Sequence, residues 1–192
     1  MAIGKGRRCT WVQGELMEHY HDNEWGRPLH DDAKLYEMLF LEGFQAGLSW
    51  YIVLKKREAF RNAFSNFDYA AIAAYGEQDV ERLLRDEGIV RNRLKILGAI
   101  TNAQVFMNIQ AEFGSFDRYL LNFIPDGTVV NQTDVFVTRS PLSDAVSDDL
   151  RKRGMKFVGT VTIYSFLQSV GIINDHELSC FVMQELLGQA EG

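Results

Sequence analysis

Cysteine is scarce: the 192-residue chain carries two, Cys9 and Cys180. That is too few for a disulfide-stapled secreted scaffold, and two thiols in a reducing compartment read more readily as thiolates than as a bridge. Three prolines leave most of the chain free of helix breakers. No apolar run is long enough to span a bilayer. The basic start MAIGKGRR is not followed by the apolar segment a secretory signal requires. Internal repeats and low-complexity linkers are missing as well. So is any excess of positive charge, because 20 Lys and Arg stand against 26 Asp and Glu for a net charge of −6. Taken alone, that balance argues against a nucleic-acid partner.

What remains is an ordinary globular composition, 46% hydrophobic, in a chain sized for one well-buried domain or two small lobes sharing a groove. Apolar residues recur at helical spacing, which predicts an all-α fold. Asp31 or Asp32 is placed to cap a helix through Leu35, Met38, Leu39 and Leu41. Ser49 is placed to cap the next, through Ile52, Val53 and Phe60, with Gly47 and Leu48 in the turn between. A shorter helix starts near Asp68. Another, through Val80, Leu83 and Leu84, is expected to close at Gly88 in a left-handed C′ conformation. A long helix carries Ile96, Ile100, Val105 and Phe106 towards Gly114. The polar stretch from Asp126 to Pro141 reads as a loop, with helices resuming at Ser143.

His176 and Cys180 are spaced i,i+4 and share a helix face. With Cys9 and His21 folded beside them they would make a closed Cys₂His₂ site that joins the chain ends, structural in character because no coordination position stays open. The same residues also read as unrelated buried thiols, as a disulfide pair, or as a core histidine.

Glu42 lies within LEGFQAGLSW (residues 41–50), inside a helix that is apolar nearly all round, so its carboxylate is expected to be buried and costly there. It reads as a functional acid or as a polar exit at a core rim. All three tryptophans, Trp11, Trp25 and Trp50, fall in the first 50 residues. With Tyr20 they are core aromatics or the walls of a pocket for a flat, cationic ring. GIVRNRLK (residues 88–95) joins two predicted helices through a glycine turn, a helix-hairpin-helix pattern whose backbone amides can bind a phosphate, with Arg91, Arg93 and Lys95 nearby. Basic residues gather there, at Lys55, Lys56 and Arg57, and at Arg151, Lys152, Arg153 and Lys156; each cluster also reads as a solvated helix end.

Read together, RCTW (8–11), YHDNEWG (20–26), LEGFQAGLSW, GIVRNRLK, KRGMKFVGT (152–160), YSFLQSVGIINDH (164–176) and Cys180 resemble the DNA-3-methyladenine glycosylase I family of bacterial base-excision repair, over nearly the whole chain. The resemblance implies a helix-hairpin-helix glycosylase fold in a single domain over 1–192. One lobe comes from the N- and C-terminal segments, and the hairpin occupies about 78–112 of the other. It implies one structural Zn²⁺ on Cys9, His21, His176 and Cys180. It also implies hydrolytic excision of N3-methyladenine, with Glu42 as the base-contacting and catalytic carboxylate and Trp50, Tyr20 and Trp25 around the base. Gly47 and Leu48 would probe the DNA stack, and Gly88, Val90, Arg91, Arg93 and Lys95 would contact the backbone. Double-stranded DNA containing alkylated adenine is the implied partner and free 3-methyladenine the product, for a cytoplasmic monomer with no membrane association. The segment ILGAITNAQ after Lys95 offers neither the lysine nor the aspartate that other glycosylases of this superfamily carry there, so a monofunctional hydrolase is expected. Phe44 and Thr10 depart from the family pattern, and Phe44 is placed to alter the pocket or the probing turn. Two other readings stand beside this one. HELSC (176–180) resembles a metalloprotease helix but lacks its second histidine, and a helix-hairpin-helix module can bind DNA without catalysis.

Overall fold

The computed structural model describes residues 6–124, 127–131, 133 and 135–190. The first residues of the basic N-terminal stretch, 1–5, and Asp126, where the predicted excursion begins, lie outside them. The described chain is helical, as expected: α1 (Glu15–Asn23), α2 (Asp32–Gln45), α3 (Trp50–Lys55), α4 (Arg57–Ala63), α5 (Tyr69–Ala73), α6 (Glu77–Arg85), α7 (Arg93–Phe113), α8 (Phe116–Leu121), α9 (Pro141–Lys152), α10 (Thr160–Ser169) and α11 (Phe181–Ala190).

Side-chain caps start most of these helices. Asp31, not Asp32, caps α2, its carboxylate accepting the Lys34 N–H at 2.9 Å. Asp32 turns to α8 and accepts the amides of Phe116 and Asp117 at 2.8 and 3.0 Å, so an acid opening one helix satisfies the exposed donors of another. Ser49, Asp68 and Asn92 cap α3, α5 and α7. The expected closure at Gly88 needs correcting. Helix α6 stops at Arg85, and Gly88 is not left-handed. Its missing side chain serves a close approach instead, since a Cβ would lie 3.1 Å from that of Ala59. The stretch expected to be a loop contains a short strand, β1 (Val129–Val130), paired in parallel with β2 (Ile173–Asn174). Helix then resumes at Pro141 rather than Ser143, because Ser140 and Ser143 form a reciprocal capping box and proline suits the first helical position.

Helix α2 is the axis of the molecule. Every residue from Leu35 to Phe44 is buried, as its nearly unbroken apolar run predicts, and the helix packs on α3, α7, α8 and α10. Where α2 passes α7, Phe157 fills the crossing. A Cβ on Gly98 would lie 2.9 Å from its ring, and one on Gly43 would meet its Cβ at 3.8 Å. Phe44, expected to bear on the pocket or turn, instead stacks on Phe40 at 4.7 Å and meets Phe60 at 4.8 Å within a phenylalanine cluster. One contiguous core joins residues from both chain ends with those of the middle helices.

Candidate functional site

The ends of the chain meet at four buried side chains. The ligand atoms of Cys9, His21, His176 and Cys180 all lie within 4.8 Å of one another. Cys9 Sγ is 3.5 Å from His176 Nδ1, and Cys180 Sγ is 3.4 Å from His21 Nε2 and 3.6 Å from His176 Nδ1. A tetrahedral zinc with ordinary Zn–S and Zn–N bonds would set its sulfur–nitrogen edges at about 3.5 Å, so the donor set fits that ion. The far nitrogen of each imidazole is engaged: His21 Nδ1 donates to Asp22 Oδ1 at 2.9 Å and His176 Nε2 to the Trp25 carbonyl at 3.1 Å. These bonds fix the tautomers that leave Nε2 of His21 and Nδ1 of His176 unprotonated, as metal coordination would require. Arg8 grips the Asp22 carboxylate with two N–H groups, at 2.9 and 3.0 Å. The Cys180 thiol is driven towards thiolate, first of all by a hydrogen bond from Cys9.

Beside this cluster opens a cavity of about 600 Å³, lined by Tyr20, Trp25, Glu42 and Trp50 and by Trp11, Gln45, Gln168 and Asp175 among others. Its position follows from the helices. Glu42 stands in the last turn of α2 and Trp50 opens α3, so the turn between those helices delivers both to one space. Glu42 is 3% exposed, and burial pushes its carboxyl up to about 8. Among the described residues, Glu42 Oε2 and Trp50 Nε1 are buried without any hydrogen-bond partner. The Tyr20 ring lies 5.3 Å from that of Trp50, and Trp11 meets Trp25 edge-on at 5.0 Å. Trp25 also abuts His176 at 4.5 Å, which makes it a wall shared by the cavity and the Cys₂His₂ cluster.

Helices α6 and α7 flank a turn over 86–92, the segment read from sequence as a hairpin. Among the described residues the backbone N–H groups of Val90 and Arg91 have no acceptor. Arg91 is exposed and 3.5 Å from Glu87, while Arg93 is paired with Glu77 at 2.7 Å. Lys95 is not where a phosphate contact would need it. It is buried, and its Nζ donates to the carbonyls of Phe44 and Ala46 at 2.8 and 2.6 Å. The turn after α2 is open: Gly47 has φ +79°, a Cβ there would meet nothing within 4 Å, and Leu48 is half-buried. Several other clustered cations are also held internally. Arg57 bridges Glu24 and Glu37 at 2.6 and 2.7 Å, and Arg153 pairs with Glu112 and Asp149, each at 2.6 Å.

A model of the methyladenine glycosylase family matches residues 11–183. The chain belongs to that family. Its sequence is 47% identical over 177 residues to DNA-3-methyladenine glycosylase 1 of Escherichia coli, covering 90% of this chain and 95% of that one. The crystal structure of a 3-methyladenine DNA glycosylase I superposes with a TM-score of 0.88 at 47% identity, covering 91% of this chain and 98% of the other. A structure addressing 3-methyladenine recognition by the Staphylococcus aureus enzyme superposes with a TM-score of 0.87 at 33% identity, covering 92% and 96%.

In this methyladenine glycosylase family member, the cavity brings together Tyr20, Trp25, Glu42 and Trp50, which the sequence had grouped only by motif. Two acids escaped that reading. Asp175 accepts from Tyr164 Oη at 3.1 Å and from Gln168 Nε2 and Asn131 Nδ2, both at 2.5 Å, tying the β1 segment to α10 at the cavity wall. Glu177 accepts the Thr10 N–H at 2.6 Å, so the unexpected Thr10 binds a second cavity-lining acid. Asp175 was legible as the neighbour of a predicted ligand within YSFLQSVGIINDH. Its convergence with Asn131 had no local signal, since 44 residues separate the two.

Proposed function

We propose that the protein is a monofunctional DNA glycosylase that extrudes N3-methyladenine from duplex DNA and hydrolyses its N-glycosidic bond. The observation that carries this reading is the pair of buried, partnerless polar atoms, Glu42 Oε2 and Trp50 Nε1, on one aromatic-walled cavity. An unmade buried hydrogen bond costs about 1–3 kcal/mol, and a ligand that supplies the missing partners recovers it. Methylation at N3 makes the adenine a cation. Its exocyclic amine can donate to Glu42, its ring can stack on the aromatic wall, and its charge favours the ionised carboxylate that burial otherwise opposes. A pure DNA-binding module would have no use for either orphaned group.

The chemistry asks little of the protein, because the positively charged base is already a good leaving group. Extrusion, orientation and admission of water to the sugar carbon suffice. The segment ILGAITNAQ after Lys95 offers no lysine, so the reading is hydrolysis rather than Schiff-base chemistry. Unmodified adenine is refused because it offers no charge to Glu42 and a far stronger bond.

The same reading assigns one structural zinc to Cys9, His21, His176 and Cys180, which leave no open position for activating water. It makes the α6–α7 unit a helix-hairpin-helix that grips the DNA backbone through the Val90 and Arg91 amides, beside Gly88 and the Arg91 and Arg93 side chains. Gly47 and Leu48 then probe the stack. It treats the chain as one domain of two lobes, acting as a monomer on cytoplasmic DNA. Among the described residues no helix is long and apolar enough to cross a membrane.

The test is base release from methylated DNA, resolved by product, with wild type and Glu42→Gln side by side. Release of 3-methyladenine by the wild type and its loss in the variant are expected. Release of 7-methylguanine as the main product, or full activity in Glu42→Gln, would overturn the assignment.

A further inference from the structure

We infer that Lys95, with Lys56, is a positioning residue that locks the DNA-probing turn and both base-recognition side chains to the hairpin, so that gripping the backbone and reading the base are one event. The inference rests on the glycosylase reading given above.

Lys95 breaks a local rule. It is the third residue of α7, in the first helical turn, where the macrodipole disfavours a cation, and it is buried, where an ammonium is costly. Both penalties are answered by a different helix. The Lys95 ammonium reaches across to the C-terminal end of α2 and takes the carbonyls of Phe44 and Ala46, at 2.8 and 2.6 Å. Those groups belong to the end of a helix that runs out of intrahelical donors, where a cation is favoured. Lys56, the residue that closes α3, does the converse: its Nζ donates to the carbonyls of Glu87 and Gly88, at 3.2 and 2.8 Å, inside the hairpin turn.

The segment from Ala46 to Lys56 is therefore tied to the hairpin at both ends. It contains Gly47, Leu48 and Trp50, and Glu42 stands one helical turn before its first tie. A phosphate bound at the hairpin amides thus fixes the height at which the turn enters the stack and the base meets its pocket. Neither lysine needs to touch DNA. The other reading of Lys95, direct phosphate contact, demands an exposed ammonium, and this one has two carbonyl partners instead.

Three measurements on the full chain separate the possibilities: single-turnover release of 3-methyladenine from methylated DNA, affinity for free 3-methyladenine, and the salt dependence of binding to DNA bearing a stable abasic-site analogue. Lys95→Met is expected to slow release tenfold or more while leaving free-base affinity within twofold and the salt slope unchanged. Lys95→Arg, which keeps a cationic donor with several N–H groups, should recover most of the rate. Lys56→Met cuts the other tie and should show the same signature, which keeps the inference testable if Lys95→Met fails to fold. A phosphate contact would lower the salt slope by about one charge, and that result overturns the inference, as does an unchanged release rate in both Met variants. If the wild type itself releases no methylated base, the glycosylase reading falls and takes the coupling with it. If it does so and the variants match it, only the coupling falls.

Discussion

At the scale of single residues, Glu42 concentrates the cost of the site. Its carboxyl is held near pH 8 against an ordinary value near 4.5 because burial penalises the charge and no partner relieves it. A raised carboxyl pKa contributes full stability while the group is neutral in both states, below the unfolded value. That contribution drains away as pH climbs from about 4.5 through about 8. Wild type and Glu42→Gln should therefore unfold at similar denaturant concentrations at pH 5, and the variant should be more stable by a few kcal/mol at pH 9. Urea titrations at the two pH values check this, and equal pH slopes would mean that Glu42 is not titrating in the interior. Trp50 carries the complementary role. Trp50→Ala removes a cation–π face worth roughly 0.5–2 kcal/mol, so affinity for a cationic alkylated base should fall about 2- to 30-fold in a calorimetric titration.

Among the elements, the crossing of α2 and α7 decides whether the pocket and the hairpin stay in register. Gly98 is where Phe157 packs tightest against α7, since a Cβ there would lie 2.9 and 3.0 Å from its ring atoms. Gly98→Ala should push the ring aside and cost about 1–3 kcal/mol, read as a lower urea midpoint with an unchanged slope. The helix starts at Ser49 and near Asp68 were legible beforehand because caps are local. Ser49 and Asp68 each bond an amide two or three residues on. The misjudged closure at Gly88 and the open choice between Asp31 and Asp32 share a cause. Gly88 and Asp32 spend their chemistry on residues far along the chain, Ala59 in one case and the α8 amides in the other. No window of sequence around either one contains that partner.

For the whole molecule, the Cys₂His₂ cluster matters most, because it joins residue 9 to residue 180 and closes nearly the full chain into one loop. Elemental analysis should find one zinc per chain. Stripping it with a chelator should lower the thermal midpoint and loosen the Trp25 wall, seen as altered tryptophan fluorescence together with weaker 3-methyladenine binding. Asp22→Asn, which weakens the orienting bond to His21, should reduce zinc affinity about 10- to 100-fold in competition with a chromophoric chelator. The acidic net charge of −6 is compatible with a DNA partner only through local donors. In the proposed reading the hairpin amides supply these without adding charge, while many of the clustered arginines are consumed by internal ion pairs.

The helical class, the caps at Ser49 and Asp68 and the acid buried in an apolar helix were set by sequence. Each rests on periodicity, on a contact within one turn, or on a residue type too costly to bury without purpose. The tertiary fold alone decided that Glu42 and Trp50 share a cavity, that Phe44 belongs to the core and that Lys95 faces inward to the end of α2. It also brought Asp175 to the cavity wall with Asn131. Those outcomes depend on which surfaces meet once helices distant in the chain pack together. A side chain's partner across such a contact is set by that packing, and its sequence neighbours carry no trace of it.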